Sequence, residues 1–137
     1  MIYNSTSTSE TFAFAKKLGQ AAQAGEVYCL TGELGAGKTV FAKGFAKGLG
    51  ITDDITSPTF CILNEYSGRL LLYHFDVYRI NNLDEMDDIG YIDYFGSNGI
   101  CLVEWGEMIK PLLPATSKFI KITKHPINTE HRSIEIT

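Results

Sequence analysis

Apolar residues recur along this chain at two spacings, each predicting its own kind of element. Phe14, Leu18, Ala21 and Ala22 repeat at helical intervals after Ser7-Thr8-Ser9-Glu10, where Ser7 and Glu10 stand at capping-box spacing, and the run ends at Gly25. Phe41, Phe45 and Leu49 recur every four residues until Gly48 and Gly50 interrupt them, which predicts a second helix. Between the two, Glu26 to Thr31 is β-branched and aromatic and reads as a strand. Thr59 to Leu63 and Leu70 to Val77 read as strands on either side of Ser67-Gly68, hence an antiparallel hairpin. Leu83 to Phe95 is acidic with a short period and predicts one or two short helices; Ile100 to Val103 predicts a buried strand. Lys118 to Lys124 and Arg132 to Ile136 alternate and predict a strand pair that turns near Pro126 and Asn128. There is no internal repeat or low-complexity linker. The expectation is a single α/β domain over residues 1–137, with a mixed parallel and antiparallel central sheet flanked by helices.

Length and composition agree with one folded domain. The chain has 137 residues, 45% apolar and 20% charged, which is ordinary for a globular protein and far from disordered or membrane classes. Apolar runs such as Ile100-Cys101-Leu102-Val103 are strand-sized, well short of a bilayer span, and Met1 to Thr6 lacks the basic and apolar regions of a secretory signal. A cytoplasmic protein with no membrane contact is expected. Cys29, Cys61 and Cys101 are widely separated in apolar stretches and read as packed thiols, not as a disulfide framework or a metal site. A net charge of −4 argues against direct nucleic-acid binding, so any link to RNA is expected to run through a partner.

The sharpest chemical signal is Gly32-Glu33-Leu34-Gly35-Ala36-Gly37-Lys38-Thr39, which follows a predicted strand and opens a predicted helix. In this G-x4-G-K-T spacing, glycines let the backbone curl so that N–H groups point at phosphate oxygens, and the following helix adds its positive end. Such a string arises by chance in roughly one chain of this size in a few hundred. A P-loop NTPase fold follows, with Gly35, Ala36, Gly37, Lys38, Thr39 and Val40 at the phosphates. Lys38 is the cation for the β- and γ-oxygens, and the Thr39 hydroxyl a ligand for Mg²⁺.

Metal and attacking water need carboxylates beyond the loop. Glu104 follows an apolar strand as a Walker B acid does and is the metal candidate; a solvent-facing glutamate at a strand end is the plain alternative. Asp76 alternates with Leu72 and His74, where a core-facing carboxylate without a partner would be costly, so it is assigned to the hydrolytic water or a metal-bound water. Its alternative is a hydrogen bond to Arg79 or His74. Ser57-Pro58-Thr59 reads equally as a switch segment offering Thr59 to the γ-phosphate and as turn chemistry before a strand. His74, His125 and His131 lack metal-ligand spacing, and Asp84-Glu85-Met86-Asp87-Asp88 reads as a solvated acidic face, with partner docking as its alternative.

Together, GELGAGKT at 32–39, SPTFCILNEY at 57–66, HFDVYR at 74–79, GYIDYF at 90–95 and VEWGE at 103–107 resemble the TsaE (YjeE-type) ATPases of bacterial tRNA threonylcarbamoyladenosine synthesis. Their order and spacing are far more specific than the P-loop alone. The resemblance implies a small mixed-sheet P-loop fold, ATP and Mg²⁺ as ligands, and weak hydrolysis stimulated by a TsaB–TsaD complex. Transfer to tRNA would belong to TsaD, so this chain would meet tRNA only indirectly. By position the resemblance implies Thr39 and Glu104 at Mg²⁺, Asp76, Thr59 and Lys38 in hydrolysis, and Trp105 beside the nucleotide, with core packing as the alternative for Trp105. Thr8, Thr11 and Arg132 match positions near the adenine more loosely. Tyr91 and Ile92 depart from the family pattern, where an apolar residue and an acid are usual, which bears on docking more than on the nucleotide.

Two rival readings fit the same residues. A small-molecule P-loop kinase usually clamps phosphates with several arginines, and this chain has only Arg69, Arg79 and Arg132. An ATP-gated interaction module with incidental hydrolysis would use the same cleft.

Overall fold

The computed structural model describes residues 1–33, 35–56 and 63–137. In chain order it contains β1 (Ile2–Ser5), α1 (Thr8–Ala21), β2 (Val27–Gly32), α2 (Lys38–Gly48), β3 (Leu63–Ser67), β4 (Leu71–Asp76), α3 (Asp84–Asp88), β5 (Ile100–Glu104), β6 (Lys118–Lys124) and β7 (Arg132–Ile136). Short 3₁₀ segments lie at Tyr91–Asp93 and Gly106–Leu112. The strands form one seven-stranded sheet in the order β1-β7-β6-β2-β5-β4-β3.

The inner pairs β6–β2, β2–β5 and β5–β4 are parallel, while β3, β7 and β1 join antiparallel. Parallel strands are covered on both faces and so read as continuous apolar runs. Every residue of β5 is buried, as are Val27 to Leu30 of β2. The predicted mixed sheet is therefore present. One face of the sheet is covered by α1 and α2, around Phe41, Phe45, Leu49, Tyr28 and Leu102. On the other, Phe75, Val77, Met86, Val103 and Ile109 pack with the aromatic rings of Tyr73, Tyr94 and Phe95. A buried phenylalanine such as Phe41 or Phe45 contributes about 1.5–3 kcal/mol.

The helices pack backbone to backbone. A Cβ on Gly48 would lie 2.2 Å from the Lys16 carbonyl oxygen, and one on Gly44 2.5 Å from that of Phe12, so only glycine permits this crossing. Ser7 caps α1 by accepting from the Glu10 N–H at 3.1 Å. The Glu10 carboxylate returns to the Thr6 N–H and hydroxyl, one residue earlier than a capping box requires. At the other end, Arg69 Nη2 donates to the carbonyls of Gly19, Gln20 and Ala22.

Two local features depart from the sequence expectation, and a third expectation is met where it can be followed. β1 has no apolar periodicity of its own and exists through pairing with β7, Ile2 opposite Glu135 and Ser5 opposite Arg132. The 3₁₀ segment at Gly106–Leu112 carried no periodic signal. In the hairpin, Leu63 pairs with Phe75 and Ser67 with Leu71 as expected of antiparallel strands, but 57–62, including Thr59 and Cys61, lie outside the described residues. Among the described residues no helix is long and apolar enough to cross a membrane.

Candidate functional site

Because the inner strands are parallel, their C-terminal ends meet at one edge of the sheet, where α/β proteins place ligands. β2 runs out at Gly32 into the glycine loop, and α2 begins at Lys38. Gly35 and Gly37 have φ of 78° and 103°, left-handed values that side chains rarely adopt. The adjacent strands β4 and β5 end on Asp76 and Glu104, which sit opposite each other in the register. Two carboxylates are thereby delivered beside the loop.

A cavity of about 340 Å³ opens at this edge. Gly35, Gly37, Lys38, Thr39 and Val40 line one side, Asp76, Glu104 and Trp105 another, and Thr8, Thr11, Glu130 and Arg132 a third. Among the described residues, one predicted site residue, Ala36, is not on its wall. Thr59 lies outside the described residues, and Ala36 is buried, its N–H donating to the Glu33 carbonyl at 3.0 Å and its carbonyl accepting from Arg132 Nε at 2.8 Å. Thr11 lines the cavity, but its hydroxyl is engaged with Ser5 Oγ at 2.7 Å.

The charge on Lys38 is the unusual element. Its Nζ is buried, has no hydrogen-bond partner among the described residues, and sits 3.6 Å from the centroid of the Trp105 ring. Burial lowers the lysine pKa, while the charges of Glu104, Glu107 and Asp76 act in the opposite sense. Trp105 holds φ at 64°, the one non-glycine positive φ among the described residues, a strain typical of functional sites. It also meets the ring of Tyr78, with centroids 4.7 Å apart.

The carboxylates differ from the sequence expectation in their surroundings. Asp76 does not face the core: the alternation that buries Leu72 and His74 ends where the sheet opens into the cavity, and Asp76 is half-buried there. Its Oδ1 accepts from the Tyr78 N–H at 3.0 Å, in place of the anticipated Arg79 or His74. His74 instead meets Glu104, Nε2 to Oε2 at 2.7 Å. Glu104 is 4% exposed, so it is no solvent-facing strand end. Among the described residues no group of three or more His, Cys, Asp or Glu side chains is arranged to hold a metal.

Residues 5–134 match the family model described as Threonylcarbamoyl adenosine biosynthesis protein TsaE. The chain belongs to the TsaE family. It is 50% identical over 113 residues to the tRNA threonylcarbamoyladenosine biosynthesis protein TsaE of Bacillus subtilis, covering 82% of this chain and 70% of that relative. The TsaE of Treponema pallidum is 46% identical over 110 residues, covering 80% and 82%. Among solved structures, the crystal structure of YdiB from Bacillus subtilis superposes with a TM-score of 0.78 at 41% identity, over 98% of this chain and 82% of that one. The single-domain α/β fold is thus a TsaE fold.

Within this TsaE-family cavity, Glu130 was not anticipated, because a lone acid in a polar turn carries no motif signal. His74 was read for metal-ligand spacing and as an alternative partner of Asp76, not as the partner of Glu104. Its signal lay in the alternation of β4, which puts it on the same side of the strand as Asp76.

Proposed function

We propose that this TsaE-family chain binds ATP with Mg²⁺ in the cavity and hydrolyses it slowly alone and faster with a TsaB–TsaD complex. In that role it supplies a nucleotide-driven reset in tRNA threonylcarbamoyladenosine formation, in the cytoplasm and without touching tRNA itself. The observation that carries the reading is the buried Lys38 ammonium with no hydrogen-bond partner among the described residues, in a cavity that Asp76 and Glu104 also line. A buried cation is costly unless an anion answers it, and the groups around it fit a polyphosphate with its metal.

Lys38 and the N–H groups at the start of α2 would bind the phosphates, and Thr39 and Glu104 would hold Mg²⁺. The sparse protein ligand set suits that ion, which keeps waters and takes few protein oxygens. When bound, Mg²⁺ neutralises charge that develops on the phosphate oxygens. Asp76, kept half-exposed at its strand end, would orient or deprotonate water. Trp105, Thr8, Thr11 and Arg132 would wall the nucleoside side and exclude solvent.

A kinase reading loses support from Arg69, one of three arginines, whose guanidinium is taken up by α1 carbonyls. The test uses purified TsaB–TsaD, tRNA and ATP. Asp76→Ala and Glu104→Ala are expected to stay associated with the partners yet stop after about one round of modification; sustained multi-turnover by both would refute hydrolysis as the role. Acceptor-dependent ADP release with small alcohols would favour the kinase.

A further inference from the structure

The strand β4 supplies a second buried polar group to the site. His74, 1% exposed, precedes Asp76 by two residues, and its Nε2 lies 2.7 Å from Oε2 of Glu104, itself 4% exposed. In the parallel register His74 stands opposite Leu102 and Asp76 opposite Glu104, so the imidazole reaches one alternate position along β5 to meet the carboxylate. A carboxylate oxygen accepts, which assigns the hydrogen to Nε2. His74 Nδ1 is buried with no hydrogen-bond partner among the described residues, where a second N–H would be left without an acceptor. The ring is therefore a donor with one task, directed at Glu104.

Resting on the metal reading above, we infer that His74 is a positioning residue: its Nε2–H holds the Glu104 carboxylate in the orientation that faces the metal in the nucleotide cleft. Carboxylate ligands depend on such outer hydrogen bonds, whose removal typically weakens metal affinity by about 10–100-fold. The i, i+2 spacing of His74 and Asp76 then has a purpose. One strand carries the water-facing carboxylate and, two residues earlier on the same side, the donor that orients the metal-facing one.

The test compares the full chain with His74→Ala and His74→Gln, using Mn²⁺ as the probe. Mn²⁺ binding to the protein–ADP complex is followed by the free-ion electron paramagnetic resonance signal, and ADP binding in EDTA by Trp105 fluorescence. His74→Ala is expected to bind Mn²⁺ about 10–100-fold more weakly. Its ADP affinity in EDTA should stay within about twofold of the parent, because no metal contact is at stake there. His74→Gln, which keeps an amide donor, should recover most of the loss. Unchanged Mn²⁺ binding in His74→Ala, an equal loss of ADP affinity in EDTA, or no rescue by His74→Gln would each overturn the inference. If His74→Ala does not fold, His74→Leu fills the space without a donor and takes its place. A parent protein that binds ADP but no Mn²⁺ would overturn the metal reading and this inference with it, a failure recognisable because the unmutated chain shows it.

Discussion

Replacing Lys38 by Met should move stability and nucleotide binding in opposite directions. Without nucleotide, the Lys38 ammonium is buried, lacks a hydrogen-bond partner among the described residues, and rests on the Trp105 ring at 3.6 Å. Leaving a buried donor unmet costs about 1–3 kcal/mol, and a cation–π contact returns about 0.5–2 kcal/mol, so the charge is a net burden of about 1 kcal/mol. Met keeps the length and packing without the charge. For a domain of this size about 1 kcal/mol corresponds to roughly 3–4 °C, so nucleotide-free Lys38→Met should melt about that much higher. ATP with Mg²⁺ at a hundred times its Kd stabilises the unmutated chain by about 2.7 kcal/mol, and that shift should vanish in the variant. Burial keeps the folded lysine pKa below its unfolded value. Between those values the unfolded chain binds more protons, so stability of the unmutated chain rises with pH. The advantage of Lys38→Met is thus full at neutral pH and shrinks as pH climbs through that alkaline window. Differential scanning fluorimetry at several pH values, with and without nucleotide, reads all three effects. A lower melting point for the nucleotide-free variant, or a retained ATP shift, would refute the reasoning.

Two further outcomes follow. Arg69→Ala removes the Nη2 hydrogens shared among the Gly19, Gln20 and Ala22 carbonyls at the end of α1, from a residue outside the cavity lining. Urea denaturation should show a loss of about 2–3 kcal/mol with ADP affinity retained, and a loss below about 0.5 kcal/mol would mean that water serves those carbonyls as well. Burial pushes the Cys29 and Cys101 thiols up to about 12. At pH 8 both should therefore resist iodoacetamide in the native protein and react once it is unfolded; labelling of either in the native state, seen by peptide mapping, would contradict their burial.

Much of the site was legible because its parts announce themselves locally. The glycine loop needs its residues in fixed order, and Phe41, Phe45 and Leu49 mark the helix behind it within a few turns of chain. β5 was legible as an apolar run, since both its faces are covered. What escaped the sequence is what depends on distant pairing. The strand character of β1 comes from Arg132 to Glu135, and the environment of Asp76 depends on where β4 stops relative to β5. His74 and Glu104 are separated by thirty positions, and only the parallel register makes them neighbours. Glu130 joins the cavity by the same kind of closure, through the turn that leads into β7.

The pairing of β1 with β7 also sets an order of events during synthesis. Ile2 must wait for Glu135 and Ser5 for Arg132, so the sheet edge beside the cavity closes only after β7 has left the ribosome. A nascent chain can hold the glycine loop, Asp76 and Glu104 and still lack Glu130 and Arg132 from the third wall. A chain truncated before β7 would then carry the most conspicuous motif of the protein without a finished pocket.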